Sequence, residues 1–229
     1  MSDTQPSVPS EGTSVVHLFL RVGPLVERTE VLAAFDAAVG RGSQVVTVAM
    51  LGHKSDLCVM ALSPDQWDLR RLQTDLVSAG LELVDSYVSL TETSEYAQGI
   101  PDDMKQARLH PVLPPEGKPA FCFYPMSKRR EAGANWFTLP YDDRKELMYE
   151  HGASGRRFAG RVQQVVTGST GTDDYEWGVT LFCVHPDDVK DVVYTMRFDQ
   201  ASALYGEFGP FYVGMVADAG TVLTEIGVP

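Results

Sequence analysis

The stretch FCFYPMSKRR, residues 121–130, sets a phenol, Tyr124, four residues ahead of a cation, Lys128, with Pro125 between them. In an extended chain Cys122, Tyr124 and Met126 share a face. Pro125 is expected to interrupt the ladder, so that the strand ends there and Lys128 bends back toward that face. Such a pair can bring an oxidisable, hydrogen-bonding ring and a fixed positive charge to one anionic substrate. A solvated turn decorated by Lys128, Arg129 and Arg130 accounts for the same residues.

Two further positions carry possible chemistry. His151 precedes Gly152 in KELMYEHGASGRRF, and Leu147, His151 and Phe158 fall on one helical stripe. Taken alone, a histidine so placed is more often a core or helix-face residue; its functional reading is an axial metal ligand. His17, His53, His110 and His185 stand on expected strands or loops without partner spacing, and there is no HExxH, which argues against a site built from several protein ligands. In RVQQVVT, alternation puts Gln164 on the face of Val162 and Val166, so an amide points where valines point and needs either a cross-strand partner or a ligand. Arg108, Arg156, Arg157 and Arg197 lie beside apolar elements. One histidine without a partner, a tyrosine and several bases suit a ligand with an apolar body and carboxylate arms, such as a porphyrin.

The elements that must position these residues follow from periodicity. Strands are expected at 14–22, 44–51, 56–62 and over LELVDSYVSLTE. Helices are expected at 24–39 and from a Ser63 N-cap with Pro64 in the first turn to about Ala79. After a Pro/Gly-rich loop the order repeats: a strand at 119–126, a helix from Tyr141 to about Phe158, strands RVQQVVTGS and YEWGVTLFCV, a helix from Pro186 to about Tyr205, and the strand FGPFYVGMVA. This is β-α-β-β-α-β twice, an α+β fold of duplicated ferredoxin-like units. Each such sheet leaves one face bare. Packing the two bare faces together gives a dimeric α+β barrel within one chain, with halves at 14–118 and 119–229 after a disordered tail, 1–13.

Composition narrows the partners. The 229 residues are 44% hydrophobic and 22% charged, with no run long enough to span a membrane and no signal-peptide pattern, which points to a cytoplasmic protein. A net charge of −12 argues against nucleic acid and anionic membranes, although a local cluster of bases still governs its own site. Cys58, Cys122 and Cys183 lie far apart and read as buried thiols.

The runs FCFYPMSKRR, NWFTLP, EHGASGRRFAGRVQQVVTGSTGTDDYEWGVTLF and MRFDQASALYGEFGPFYVG resemble the coproheme decarboxylases, the peroxide-dependent haem-synthesis branch of the chlorite dismutase superfamily. The match is dense over 119–214 and rests mainly on topology and SYVSLTE before that. The resemblance implies the duplicated ferredoxin-like fold and His151 as proximal iron ligand. It implies Tyr124 as the radical-forming tyrosine, Lys128 as the lysine that positions a propionate, and Gln164 as the distal residue where chlorite dismutases carry arginine. It also implies Tyr87, Arg108, Met126, Arg197 and Ser202 as cofactor contacts, with His110 or Tyr96 as alternatives. The substrate would be coproheme, oxidised by hydrogen peroxide through a three-propionate intermediate to haem b. A homopentamer and a transient contact with a coproporphyrin ferrochelatase are implied too. A chlorite dismutase-like enzyme and a non-catalytic haem-binding protein are the competing readings.

Overall fold

The computed structural model describes residues 5–97 and 99–228. Of the tail expected at 1–13, residues 1–4 lie outside the described residues, as do Gln98 and Pro229. Over 5–13 the chain has no helix or strand. It is nevertheless tied down: the Ser7 amide donates to Asp65, the Gln66 amide donates to the Ser7 carbonyl, and the Trp67 indole donates to the Gln5 carbonyl.

The first half runs β1 (Ser14–Val22), α1 (Arg28–Gly40), β2 (Gln44–Leu51), β3 (Leu57–Ser63), α2 (Gln66–Ser78) and β4 (Leu81–Thr91). The second runs β5 (Ala120–Lys128), α4 (Tyr141–Arg156), β8 (Val162–Gly168), β9 (Trp177–Cys183), α5 (Pro186–Met196) and β11 (Tyr212–Ala217). Between the halves lies α3 (Asp102–Leu109), and smaller pieces are β6 (Arg130–Glu131), β7 (Ala134–Asn135), α6 (Gln200–Ala203), β10 (Gly206–Phe208) and α7 (Ala219–Glu225). Asp65, not Ser63, caps α2, accepting from the Trp67 amide.

Strand order within each half is equivalent, β2-β3-β1-β4 and β11-β5-β9-β8, every pair antiparallel. The edges then join, β4 to β8 and β11 to β2, closing a ring of eight strands with β10 laid beside the end of β5. Closure removes the open edges of both sheets. The inward residues of both halves fill the ring: Phe19, Met60, Tyr87, Phe121, Phe123, Val165 and Phe182 form one buried cluster. A fully buried aromatic or aliphatic side chain contributes about 1.5–3 kcal/mol. The ring interior is therefore a packed core, and a ligand has to sit outside it.

The outward face of the first half is covered by α1, α2 and α7, with Leu72, Leu76, Val222 and Leu223 in its core. The chain's last helix thus crosses back to the other half. The outward face of the second half packs against α5 and the turn after α4 only in part, through Val192 and Phe158. The remainder of that face is open, and there the candidate site lies.

Candidate functional site

Strand β5 continues through Pro125 to Lys128, where the sequence led us to expect an interruption. The reason lies in the neighbour. Toward β9, Pro125 pairs with Gly178; on its other side the partner chain steps away between β10 and β11, so no carbonyl there requires a proline N–H. The Pro125 carbonyl accepts from Gly209 at 2.8 Å. Gly209 has to be glycine, since a Cβ would come within 2.7 Å of the Pro125 ring and of Tyr175. With the strand intact, alternation alone carries Cys122, Tyr124, Met126 and Lys128 along one face. No backward bend is needed.

That face forms one wall of a cavity of about 660 Å³; the other wall comes from α4, α5 and α6. On the sheet side stand Tyr124 and Met126 of β5, Val179 of β9, and Gln164 and Val166 of β8. The register places Tyr124, Val179 and Val166 in one row across three strands, and Gln164 in the next row. Tyr124 and Gln164 are therefore ~12 Å apart at Cα, from strand spacing and rise. Gln164 is exposed to the cavity rather than buried, which removes the need for a cross-strand amide partner.

Tyr124 is only 7% exposed, stacks on Phe211 with centroids 4.6 Å apart, and its hydroxyl has no hydrogen-bond partner among the described residues. Burial, then the nearby Cys122, raises its pKa well above the ordinary phenol value. Lys128 is 6% exposed; its ammonium donates to the Ala201 carbonyl at 2.8 Å and sits 4.4 Å from the centre of the Trp136 ring. Burial lowers its pKa to about 8, against the opposing pull of Asp199 and Glu176.

On α4, Met148 and His151 line the cavity and share a stripe with Arg144 at i, i+4 and i+7. The His151 Nδ1 lies 3.1 Å from the Asp199 carboxylate and 3.3 Å from the Ser202 hydroxyl, while Nε2 has no partner among the described residues. Asp199 is 1% exposed and N-caps α6, accepting from the Ser202 amide and hydroxyl. Burial raises its pKa, yet the hydrogen bond and charge of His151 and the two bonds from Ser202 outweigh this and hold it below the ordinary carboxylate value. Among the described residues no three His, Cys, Asp or Glu side chains are grouped to hold a metal ion. A lone imidazole with one nitrogen anchored and the other free fits a metal that arrives inside its own ring of ligands.

The other expected contacts divide. Arg108 on α3, Arg197 after α5, Met126 and Ser202 line the cavity, as does Tyr96, whose hydroxyl accepts from Arg144. Tyr87 does not join them. It points into the ring, packs on Phe123 and shares its hydroxyl with Ser169. His110 caps the exposed end of α3 and lies outside the lining. His17 is a core histidine: fully buried, hydrogen-bonded to Thr180, stacked on Phe123, with burial lowering its pKa to about 3. Asp199 was missed because one helix was expected across it. The signal was the Asp-x-x-Ser spacing that restarts a helix at α6.

A family model described as chlorite dismutase matches residues 26–217. A putative haem-binding protein of Natronomonas pharaonis is 39% identical over 246 residues, covering 93% of this chain. The chain spans 40% of that relative's length. Among solved structures, a haem-binding protein from Thermus thermophilus superposes with a TM-score of 0.84 at 33% identity, covering 97% of this chain and 99% of that one. The chlorite dismutase of Candidatus Nitrospira defluvii, solved with imidazole, shares the fold at a TM-score of 0.75 and 16% identity, covering 95% of this chain and 96% of that one. With most of its length matched by the family model, and with the same closed fold in both solved relatives, the chain belongs to the chlorite dismutase family.

Proposed function

We propose that this protein is a coproheme decarboxylase: it binds iron coproporphyrin III and uses hydrogen peroxide to convert two propionates to vinyl groups, giving haem b. The observation that carries the reading is Tyr124, a buried phenol with no protein hydrogen-bond partner among the described residues, on the wall of a cavity that also presents the free nitrogen of His151. A phenol packed for structure alone would normally have its hydroxyl satisfied.

The substrate's iron and peroxide together supply the oxidising power. For each propionate, one peroxide is reduced to two waters while the propionate gives up two electrons and carbon dioxide. His151 holds the iron through Nε2, oriented by Asp199. Tyr124 gives up its phenolic hydrogen atom and recovers one from the propionate β-carbon, so it ends each cycle unchanged. Lys128, Arg108 and Arg197 offset the four carboxylates, each charge-assisted contact contributing roughly 1.5–3 kcal/mol. Gln164 is neutral and would stabilise a chlorite-derived anion less than arginine does. The same reading carries a cytoplasmic homopentamer that meets a coproporphyrin ferrochelatase transiently.

One observation favours a second reading, a haem-binding protein without this activity: the Lys128 ammonium is already engaged by Ala201 and Trp136. Anaerobic loading with coproheme, addition of peroxide and mass analysis of the porphyrin separates the two. The four-propionate species should pass through three to two in wild type and stay at four in Tyr124→Phe. Binding without any loss of carbon dioxide by the wild-type protein would favour the second reading.

A further inference from the structure

We propose that Glu92 takes up a proton when a polycarboxylate enters the cavity and meets one substrate carboxylate as a neutral hydrogen-bond donor. The inference rests on the coproheme reading and deepens it. Glu92 follows the last residue of β4 and lines the cavity. Its carboxyl packs against Gly168, Oε2 nearest, where the β-carbon of any other residue would overlap it. The Trp177 indole donates to its Oε1 at 3.1 Å, and Oε2 has no hydrogen-bond partner among the described residues. The carboxyl is thus held in place by a specific donor over a specific gap.

Its position decides what it meets. Gly168, Trp177 and Met126 form the row next to Val166, Val179 and Tyr124, on the side toward Lys128. Glu92 therefore stands at the end of the cavity where Tyr124 and Lys128 would receive a reacting propionate. The charged groups around it are few. Its own loop brings Glu95, which pairs with Arg144, and Tyr96, which accepts from Arg144. From α3 comes Arg108, from β5 Lys128; from the chain leading into β9 comes Glu176, which accepts from the Lys128 amide. The outward cavity positions of β8 carry Gln164, Val166 and Gly168, none of them titratable. No cation forms an ion pair with Glu92 among the described residues.

A carboxylate inside a site that accepts four carboxylates is a local conflict, since two such groups in contact do not both stay ionised. Burial, only partly offset by the Trp177 hydrogen bond, already raises the Glu92 pKa above the ordinary carboxylate value. A substrate carboxylate raises its affinity for the proton further. Binding is then linked to proton uptake, and affinity falls as pH rises from the free-protein pKa of Glu92 to its value in the complex, by up to about tenfold per pH unit. Haem b, which lacks the two propionates lost at the Tyr124 end, gives Glu92 no reason to hold the proton.

The test measures proton uptake on binding ferric coproheme, without peroxide, by calorimetry in buffers of different ionisation enthalpy between about pH 5 and pH 7. Lys128, with a pKa near 8, remains largely charged there. Wild type should take up close to one proton more per coproheme than Glu92→Gln, which keeps the shape and an acceptor for the indole. Gly168→Ala, which displaces the carboxyl, should resemble Glu92→Gln, and haem b should show no difference between the proteins. Equal proton uptake with coproheme by wild type and Glu92→Gln overturns the inference even if decarboxylation proceeds normally. An equal difference with haem b overturns it as well. The proton difference with no carbon dioxide release on adding peroxide leaves Glu92 standing and removes the decarboxylase reading instead.

Discussion

Asp199→Asn isolates what the buried carboxylate does for His151. In the wild-type protein one carboxylate oxygen accepts from the Ser202 amide at 2.9 Å, and the other faces His151 Nδ1 at 3.1 Å and the Ser202 hydroxyl at 3.2 Å. Asparagine has one acceptor oxygen and cannot do both. If that oxygen keeps the cap, the amide NH2 points at Nδ1, and the ring proton must move to Nε2, the nitrogen a metal needs. If the amide turns over, the cap of α6 is lost, at about 1 kcal/mol. A hydrogen bond to a charged group is worth roughly 1.5–3 kcal/mol, or about tenfold to somewhat over a hundredfold in affinity. Partners that orient a metal-bound histidine typically contribute about 10–100-fold, so the two figures agree. Coproheme titration should show a loss of that size, with a resonance Raman iron–histidine band at lower frequency. An unchanged band with unchanged affinity would refute the reasoning. Stability supplies an independent check. Because the Asp199 pKa is lowered on folding, its contribution is full above the unfolded value near 4 and is lost as pH falls through the folded value. The gap in melting temperature between wild type and Asp199→Asn should hold at neutral pH and close below about pH 4.

Lys128→Met should stabilise the fold by roughly 1–3 kcal/mol at pH 7, since a pKa lowered from 10.5 to about 8 records the penalty of burying the ammonium. If the protein decarboxylates coproheme as proposed, that reaction should slow in the same variant, and a destabilised Lys128→Met protein in urea unfolding contradicts the first half. As the Lys128 pKa is lowered on folding, wild-type stability should gain from this group as pH rises from about 8 toward 10.5, a gain absent in Lys128→Met. Tyr124→Phe should leave the melting temperature nearly unchanged, within about 0.5 kcal/mol in stability, because the ring keeps its stack on Phe211 and no protein hydrogen bond is lost; a larger drop would reveal a structural partner. Gly209→Ala should destabilise by roughly 1–3 kcal/mol through collision with Pro125 and Tyr175. A neutral result in thermal melts would mean that the end of β5 yields easily. If Gln164 stands where chlorite dismutases carry arginine, as the proposed function has it, chlorite should give little oxygen at an oxygen electrode.

Much of the fold was legible because both halves write most of their strands as short apolar runs bounded by polar or turn residues, and β1 and β2 begin and end at the bounds expected from those runs. The failures have physical causes. The α3 segment, DDMKQARL, buries only Leu109, so it offered no stripe to see. Gly209 and Pro210 split what reads as one apolar strand into β10 and β11. Pro125 was read as a local interruption, although whether a missing N–H matters depends on the neighbouring strand, which no local pattern contains. At the site, the residues on β5, β8 and α4 could be placed by parity and stripe. Tyr87 could not: its strand places it inside the ring, and only closure shows that inside is the sealed core and outside is the cavity.

The ring closes on unequal seams. Five residue pairs join β11 to β2, but only two, Leu90 with Gly168 and Thr91 with Thr167, join β4 to β8. Local opening begins where the fewest backbone bonds must break together, so the amides of this short seam should exchange with solvent ahead of those elsewhere in the ring. Glu92 follows Thr91 directly, and Gly168 is the residue its carboxyl rests on. Parting of that seam would therefore shift Glu92, and with it one edge of the cavity lining, without moving the helices of the opposite wall.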